Sequence, residues 1–159
     1  MEQELLTQQR IGFRAVPGAV FQVYLGRGTA QAVPAFRRCT LSPLLGPRRV
    51  SLIYIKPPSV RDAPDEAYRK AGADVQRETV GQTVGVAMVV PLTGFMGATA
   101  RAVVNGISAL SGVTVNQRVF ERLDDACHWL AGLPSQPAHH AQDLIRHVEE
   151  LEALLTAPG

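Results

Sequence analysis

The stretch from Thr83 to Leu110 constrains the fold of this chain more than any other. Thr83–Val90 is an unbroken apolar run carrying Val84, Val86, Val89 and Val90. β-Branching at that density disfavours helix, and the run is far shorter than the ~20 residues that cross a bilayer. It predicts a strand buried on both faces. Pro91-Leu92-Thr93-Gly94 stops the strand, and Met96, Ala100, Val103, Ile107 and Leu110 then recur at alternating spacings of four and three. Arg101, Asn105 and Ser108 fall on the opposite side. The pattern predicts a helix over 96–110 lying on a sheet with its polar back to water.

The same cadence runs through the rest of the chain. Ile11–Ala15 and Ala19–Leu25 read as extended segments around Val16-Pro17-Gly18, where Pro-Gly suits the centre of a type II turn and predicts an antiparallel pair. In the second segment Phe21, Val23 and Leu25 share one face, and Gln22 and Tyr24 share what reads as the less buried one. Gly26-Arg27-Gly28-Thr29 lacks the third glycine of a dinucleotide fingerprint and reads as a turn. A helix is expected over 32–41 with Val33, Phe36 and Thr40 inward, ended by Ser42-Pro43 and Gly46-Pro47. Val50–Ile55 is a second clear strand, stopped by Lys56-Pro57-Pro58. A helix over 64–79 follows, with Ala67, Tyr68, Ala71 and Val75 inward, Asp62 placed to cap it, and Asp65 and Glu66 in its first turn.

Beyond Leu110 a short strand is expected at 118–120, then a helix over 124–131 capped by Asp124, burying Ala126, Cys127 and Leu130 and ended by Gly132. Residues 134–137 read as a linker. A last helix over 138–155 carries Ala141, Leu144, Val148, Leu151 and Leu155 as a two-heptad seam. Residues 1–10 are polar and suggest no more than a frayed helical turn. The expected fold is α/β: a mostly parallel four- to five-stranded sheet with one antiparallel N-terminal strand, helices packed on it, and an extra C-terminal helix. The expected organisation is a polar segment at 1–10, an α/β domain at 11–132, and a linker with an amphipathic helix at 133–159.

At 159 residues there is room for one such domain, and 46% hydrophobic with 19% charged residues is a globular balance. A net charge of +2 is only mildly basic. Nucleic-acid binding needs a concentrated basic face, and the best cluster, Arg37, Arg38, Arg48 and Arg49, reads as solvated charges on a helix and the next loop. No nucleic-acid partner is expected. Cys39 and Cys127 have no metal-site spacing and read as small buried hydrophobes of a reducing compartment. Met1-Glu2-Gln3-Glu4 leads into no apolar signal core, and no apolar run is long enough to span a membrane, so a cytoplasmic protein is expected.

The element order, with Arg118-Val119-Phe120-Glu121-Arg122-Leu123-Asp124-Asp125-Ala126-Cys127-His128-Trp129-Leu130, resembles the STAS-like domains. The group it is most similar to is the SpoIIAA-like or STAS/Sec14 group, related to the anti-sigma-factor antagonists. The shared features are a strand ending Val119-Phe120, an acidic helix start at Asp124-Asp125-Ala126, and a final Trp129-Leu130. The resemblance covers about residues 11–131. It implies a non-enzymatic, regulatory protein-interaction module. In anti-sigma antagonists a serine at the start of a helix after a strand is phosphorylated, and added charge there alters docking. The corresponding stretch, Lys56 to Asp65, has Asp62 and Asp65 at the helix start, with Ser59 a few residues early.

In an open parallel sheet, the loops after the strand carboxyl ends share one edge, where partners and ligands bind. That edge places Pro58, Ser59 and Asp62 beside Thr93, Gly94, Phe95 and Gly97 as candidate contacts. Thr93–Gly97 also opens a helix, whose free N–H groups suit an anion, although no P-loop lysine accompanies them. His140, Asp143 and His147 project to one side of the last helix without a fourth ligand and read as a solvated face, so no metal or cofactor is expected. Asp124 and Asp125 read as helix-start charges, and no nucleophile, base and acid stand at catalytic spacing. The leading expectation is a domain that binds protein partners through this edge, with Leu144, Val148, Leu151 and Leu155 mediating self-association. The alternatives are a carrier of a small apolar ligand or lipid, which requires a continuous apolar cavity, and an enzyme with an anionic substrate at residues 94–97.

Overall fold

The computed structural model describes residues 1–56, 63–91 and 95–159, with the side chains of residues 95–97, 99, 100, 103 and 104 excepted. The chain forms an α/β sandwich around one six-stranded sheet: β1 Glu2–Leu6, β2 Ile11–Val16, β3 Ala19–Tyr24, β4 Arg49–Ile55, β5 Thr83–Val89 and β6 Gln117–Phe120, lying side by side in chain order. β1 pairs antiparallel with β2 and β2 antiparallel with β3, while β3 to β6 are parallel. Only β2 therefore runs against the others. Its hairpin to β3 turns at Gly18, whose φ of +79° is the left-handed conformation expected of Pro-Gly.

The described residues form five α-helices: α1 Val33–Thr40, α2 Glu66–Thr79, α3 Phe95–Ser111, α4 Leu123–Ala131 and α5 Ala141–Thr156. The face carrying Phe21, Val23, Val50, Leu52, Ala87 and Val89 packs against α4 and α5 in one continuous core. On the opposite face Ile11, Phe13 and Tyr24 pack against Phe36 and Cys39 of α1 and Tyr68, Ala71 and Val75 of α2. Both faces of β2 and β3 are buried along their whole length. Among the described residues no helix is long and apolar enough to cross a membrane.

Several expectations are corrected. Residues 2–6 are not a frayed helical turn but the edge strand β1. The polar composition that hid it suits an edge, where charge discourages pairing with another chain. Its side chains have partners: Glu4 accepts from Arg38 Nε at 2.6 Å, and Gln3 accepts from Arg14. The N-cap of α2 is Asp65, which accepts from Tyr68 N at 2.9 Å, rather than Asp62. Ala67 is exposed, because Tyr68, Ala71 and Val75 fix the inward face. In α4 the N-cap is Arg122, and Asp124 and Asp125 stand in the first turn, where they favour the dipole without a capping bond. Leu110, expected on the inward stripe of α3, is 57% exposed.

The largest correction concerns the C-terminus. Residues 134–137 are no free linker. Ser135 is buried, and Gln136 N donates to Arg48 O at 2.9 Å. This anchorage lays α5 over β2 and β3 and beside α4. Leu144, Val148 and Leu151 are fully buried in this chain's own core, and Leu155 is 7% exposed. The seam read as a self-association surface is thus covered from within.

Candidate functional site

The residues expected at the strand-end edge are not all within reach of description. Pro58, Ser59, Asp62, Thr93 and Gly94 lie outside the described residues. Phe95 and Gly97 fall in the first turn of α3, and their side chains are likewise outside. The site that the described residues build lies deeper, between the sheet and α2.

That site is a cavity of about 170 Å³. Its floor comes from alternate residues of three parallel strands: Val20, Gln22 and Tyr24 of β3, Ser51, Ile53 and Ile55 of β4, and Val86 and Met88 of β5. Its roof comes from α2, through Tyr68, Gly72, Val75, Gln76 and Thr79, with Ile107 of α3 alongside. α2 packs more closely on α1 and α3 than on the strands, which leaves the space beneath it. The cavity follows β4 from Arg49 to Ile55, a run of about 20 Å at the usual strand rise. At the carboxyl end of the strands it is lined by Gly26, Arg27, Gly28, Ala63 and Pro64. Gly28 is needed there: a Cβ at this position would stand 2.8 Å from the Tyr68 ring.

Most of the wall is apolar, but it carries a line of polar groups. The Tyr24 hydroxyl donates to Gln22 Oε1 at 2.7 Å and is hydrogen-bonded directly to the Tyr68 hydroxyl. Because the Tyr24 proton points to Gln22, Tyr68 must donate to Tyr24. Burial pushes both phenols well above the ordinary tyrosine value, so both stay neutral. At the opposite end lies Arg49, 6% exposed. It donates to Thr40 O at 3.1 Å, Gly46 O at 3.2 Å and Gln82 Oε1 at 2.6 Å. Its Nε and the Oε1 of Gln76 are buried without a partner among the described residues. Burial lowers the Arg49 pKa, as expected for a cation withdrawn from water.

Sequence reading missed most of this site. Gln22 and Tyr24 were expected on the less buried side of their strand, yet they are 6% and 8% exposed beneath α1 and α2. Arg49 was expected as a solvated charge, whereas only Arg48 of that pair is exposed. The usable signal was topological: an interior strand of a parallel sheet is covered on both faces, so polar residues at period two on it must be buried. Tyr68, Ala71 and Val75 were correctly expected inward.

The other candidates resolve as structural groups. His147 is half-buried, stacked on Phe21 with centroids 4.8 Å apart, instead of lying on a solvated face. His140 precedes α5 as its N-cap, and Asp143 pairs with Arg146 at 3.0 Å. No group of three or more metal-binding side chains occurs among the described residues. His128 Nδ1 lies 2.8 Å from Asp124 O. Cys39 and Cys127 are buried free thiols, which burial pushes up to about 11 and about 12, so neither is poised as a nucleophile. Comparison with family models, curated proteins and solved structures returns no match for this chain.

Proposed function

We propose that this chain is a binding domain for a small, largely apolar ligand held between the sheet and α2, acting as a carrier or sensor of the STAS/Sec14 kind that its element order resembles. The observation that carries this reading is the cavity. Three strands and a helix leave about 170 Å³ open in a fold whose other face is filled. An apolar cavity of ~150 Å³ is enough to hold a benzene-sized ligand, while drug-sized pockets begin near ~300 Å³. The ligand is therefore small.

The test is to fill the space. Val86 projects into the cavity from β5. Val86→Phe is expected to weaken binding of 1-octanol, followed by chemical-shift titration, by at least about tenfold while the protein still melts cooperatively. Unchanged octanol binding in a folded variant would remove the cavity as the binding site.

A further inference from the structure

We infer that the ligand of this cavity is an amphiphile with an acidic head, and that Arg49 is the residue that receives the head. The inference rests on the ligand-binding reading above and adds the chemistry of what binds. Arg27 and Arg49 are the charged side chains among the described residues lining the cavity, and no Asp or Glu is among those residues. Arg27 is exposed, so water solvates it. Arg49 is buried, and its three acceptors, two carbonyls and an amide, are neutral. It makes no ion pair among the described residues, and its Nε has no acceptor there.

The chain itself shows how a buried arginine is otherwise treated. Arg14, 3% exposed on the opposite face, has Glu150 at 2.6 Å in addition to Gln3 and His147. A buried charge left without a counter-charge is costly, and the usual remedy is pairing. At Arg14 the protein supplies the carboxylate. At Arg49 the cavity supplies a place for one. Both Nη2 protons of Arg49 already go to Gly46 O and Gln82 Oε1, so its Nε–H is the donor that remains for a carboxylate, and an acyl chain lying along Ser51, Ile53 and Ile55 would fill the apolar length of β4. The volume and the positive end together specify a monocarboxylate with a short, slender apolar body.

Sodium octanoate and 1-octanol share a chain length and differ in the head, so calorimetric titration of the full chain with each separates the two levels of argument. Octanoate is expected to bind at least about tenfold more tightly than octanol. In Arg49→Gln that preference is lost while octanol binding persists. Equal affinities in the unaltered protein, or a preference that survives in Arg49→Gln, would overturn the assignment of the head to Arg49 and leave apolar-ligand binding standing. Failure of both ligands to bind would instead overturn the ligand-binding reading. If Arg49→Gln does not fold, carboxyl-labelled octanoate bound to the unaltered protein decides the question by NMR. Its titration midpoint is expected about one pH unit or more below that of the free acid, and an unchanged or raised midpoint defeats the inference.

Discussion

The two faces of the sheet bury the same strands in different ways. Toward α4 and α5, Phe21, Val23, Val50, Leu52, Ala87 and Val89 meet Leu130, Leu144, Val148 and Leu151 in one continuous apolar core. Toward α2, the alternate residues of the same strands include Gln22, Tyr24, Ser51 and Arg49, and a cavity remains between them and the helix. Among the described residues each face also holds one buried arginine. Arg14 is paired with a carboxylate, whereas Arg49 is held by neutral acceptors. One face is therefore built to hold the fold together, and the other tolerates space and unbalanced charge. Those features weaken a core but suit a binding site.

The largest expected effects fall on the filled face. Removing residues 133–159 takes away Leu144, Ile145, Val148, Leu151 and Leu155 together and is expected to abolish cooperative melting. The single substitution Leu151→Ala, at a fully buried position, is expected to cost ~2–5 kcal/mol in denaturant unfolding. Met88→Ala, which enlarges an existing cavity instead of opening a new one, is expected at the lower end of that range. Equal costs for Leu151→Ala and Met88→Ala would mean that the faces are equally well packed and would break the comparison.

The next effect is polar and belongs to the cavity face. Tyr24 stands in the middle of the Gln22, Tyr24 and Tyr68 chain, donating to one neighbour and accepting from the other. Tyr24→Phe leaves Gln22 Oε1 and the Tyr68 hydroxyl both unpaired and is expected to cost ~1–3 kcal/mol. Tyr68→Phe removes a donor only and is expected to cost ~0.5–1.5 kcal/mol. Denaturant midpoints at constant m-value measure both. A larger loss for Tyr68→Phe would show that Tyr68, rather than Tyr24, carries the chain of hydrogen bonds.

How much of this was legible in the sequence follows the same division. The elements of the filled face announced themselves, because their apolar residues repeat at 2 or 3.6 within a short window. Thr83–Val89 and the Leu144, Val148 and Leu151 stripe are examples. Periodicity shows that a stripe is buried, however, and not against what. The α5 stripe suited a second copy of the chain as well as its own sheet until the anchorage of Ser135 and Gln136 to the body was known. The cavity was less legible still. Each lining residue looks like an ordinary core or surface position, and the space exists only where β3, β4, β5 and α2 meet. Arg49 sits next to Arg48 in sequence and looks identical to it. What separates them is strand phase at the start of β4, where the register with β5 shifts between Arg49 and Val50.

The smallest expected effect concerns pH and again separates the faces. Arg14 Nη1 lies 3.0 Å from His147 Nδ1, and since arginine can only donate, Nδ1 must accept and the ring proton sits on Nε2. Protonating the ring would set an N–H against the guanidinium. Burial first, then Arg14, with smaller contributions from Arg146 and His139, hold the His147 pKa below its ordinary 6.5, and Glu150 opposes them only in part. The unfolded chain then takes up the proton at higher pH than the folded one. The contribution of His147 is complete above pH ~6.5 and declines as pH falls below it. Glu150, whose carboxylate Arg14 holds below the ordinary range, responds only at more acidic pH. Melting temperatures at pH 7.5 and 5.5 are therefore expected to fall more for the unaltered protein than for His147→Gln. Parallel falls would remove His147 as the titrating group. No histidine is among the described residues lining the cavity. Octanol binding by the folded protein should thus be flat over the same interval, and a pH-dependent octanol affinity would show that the faces are coupled through the sheet.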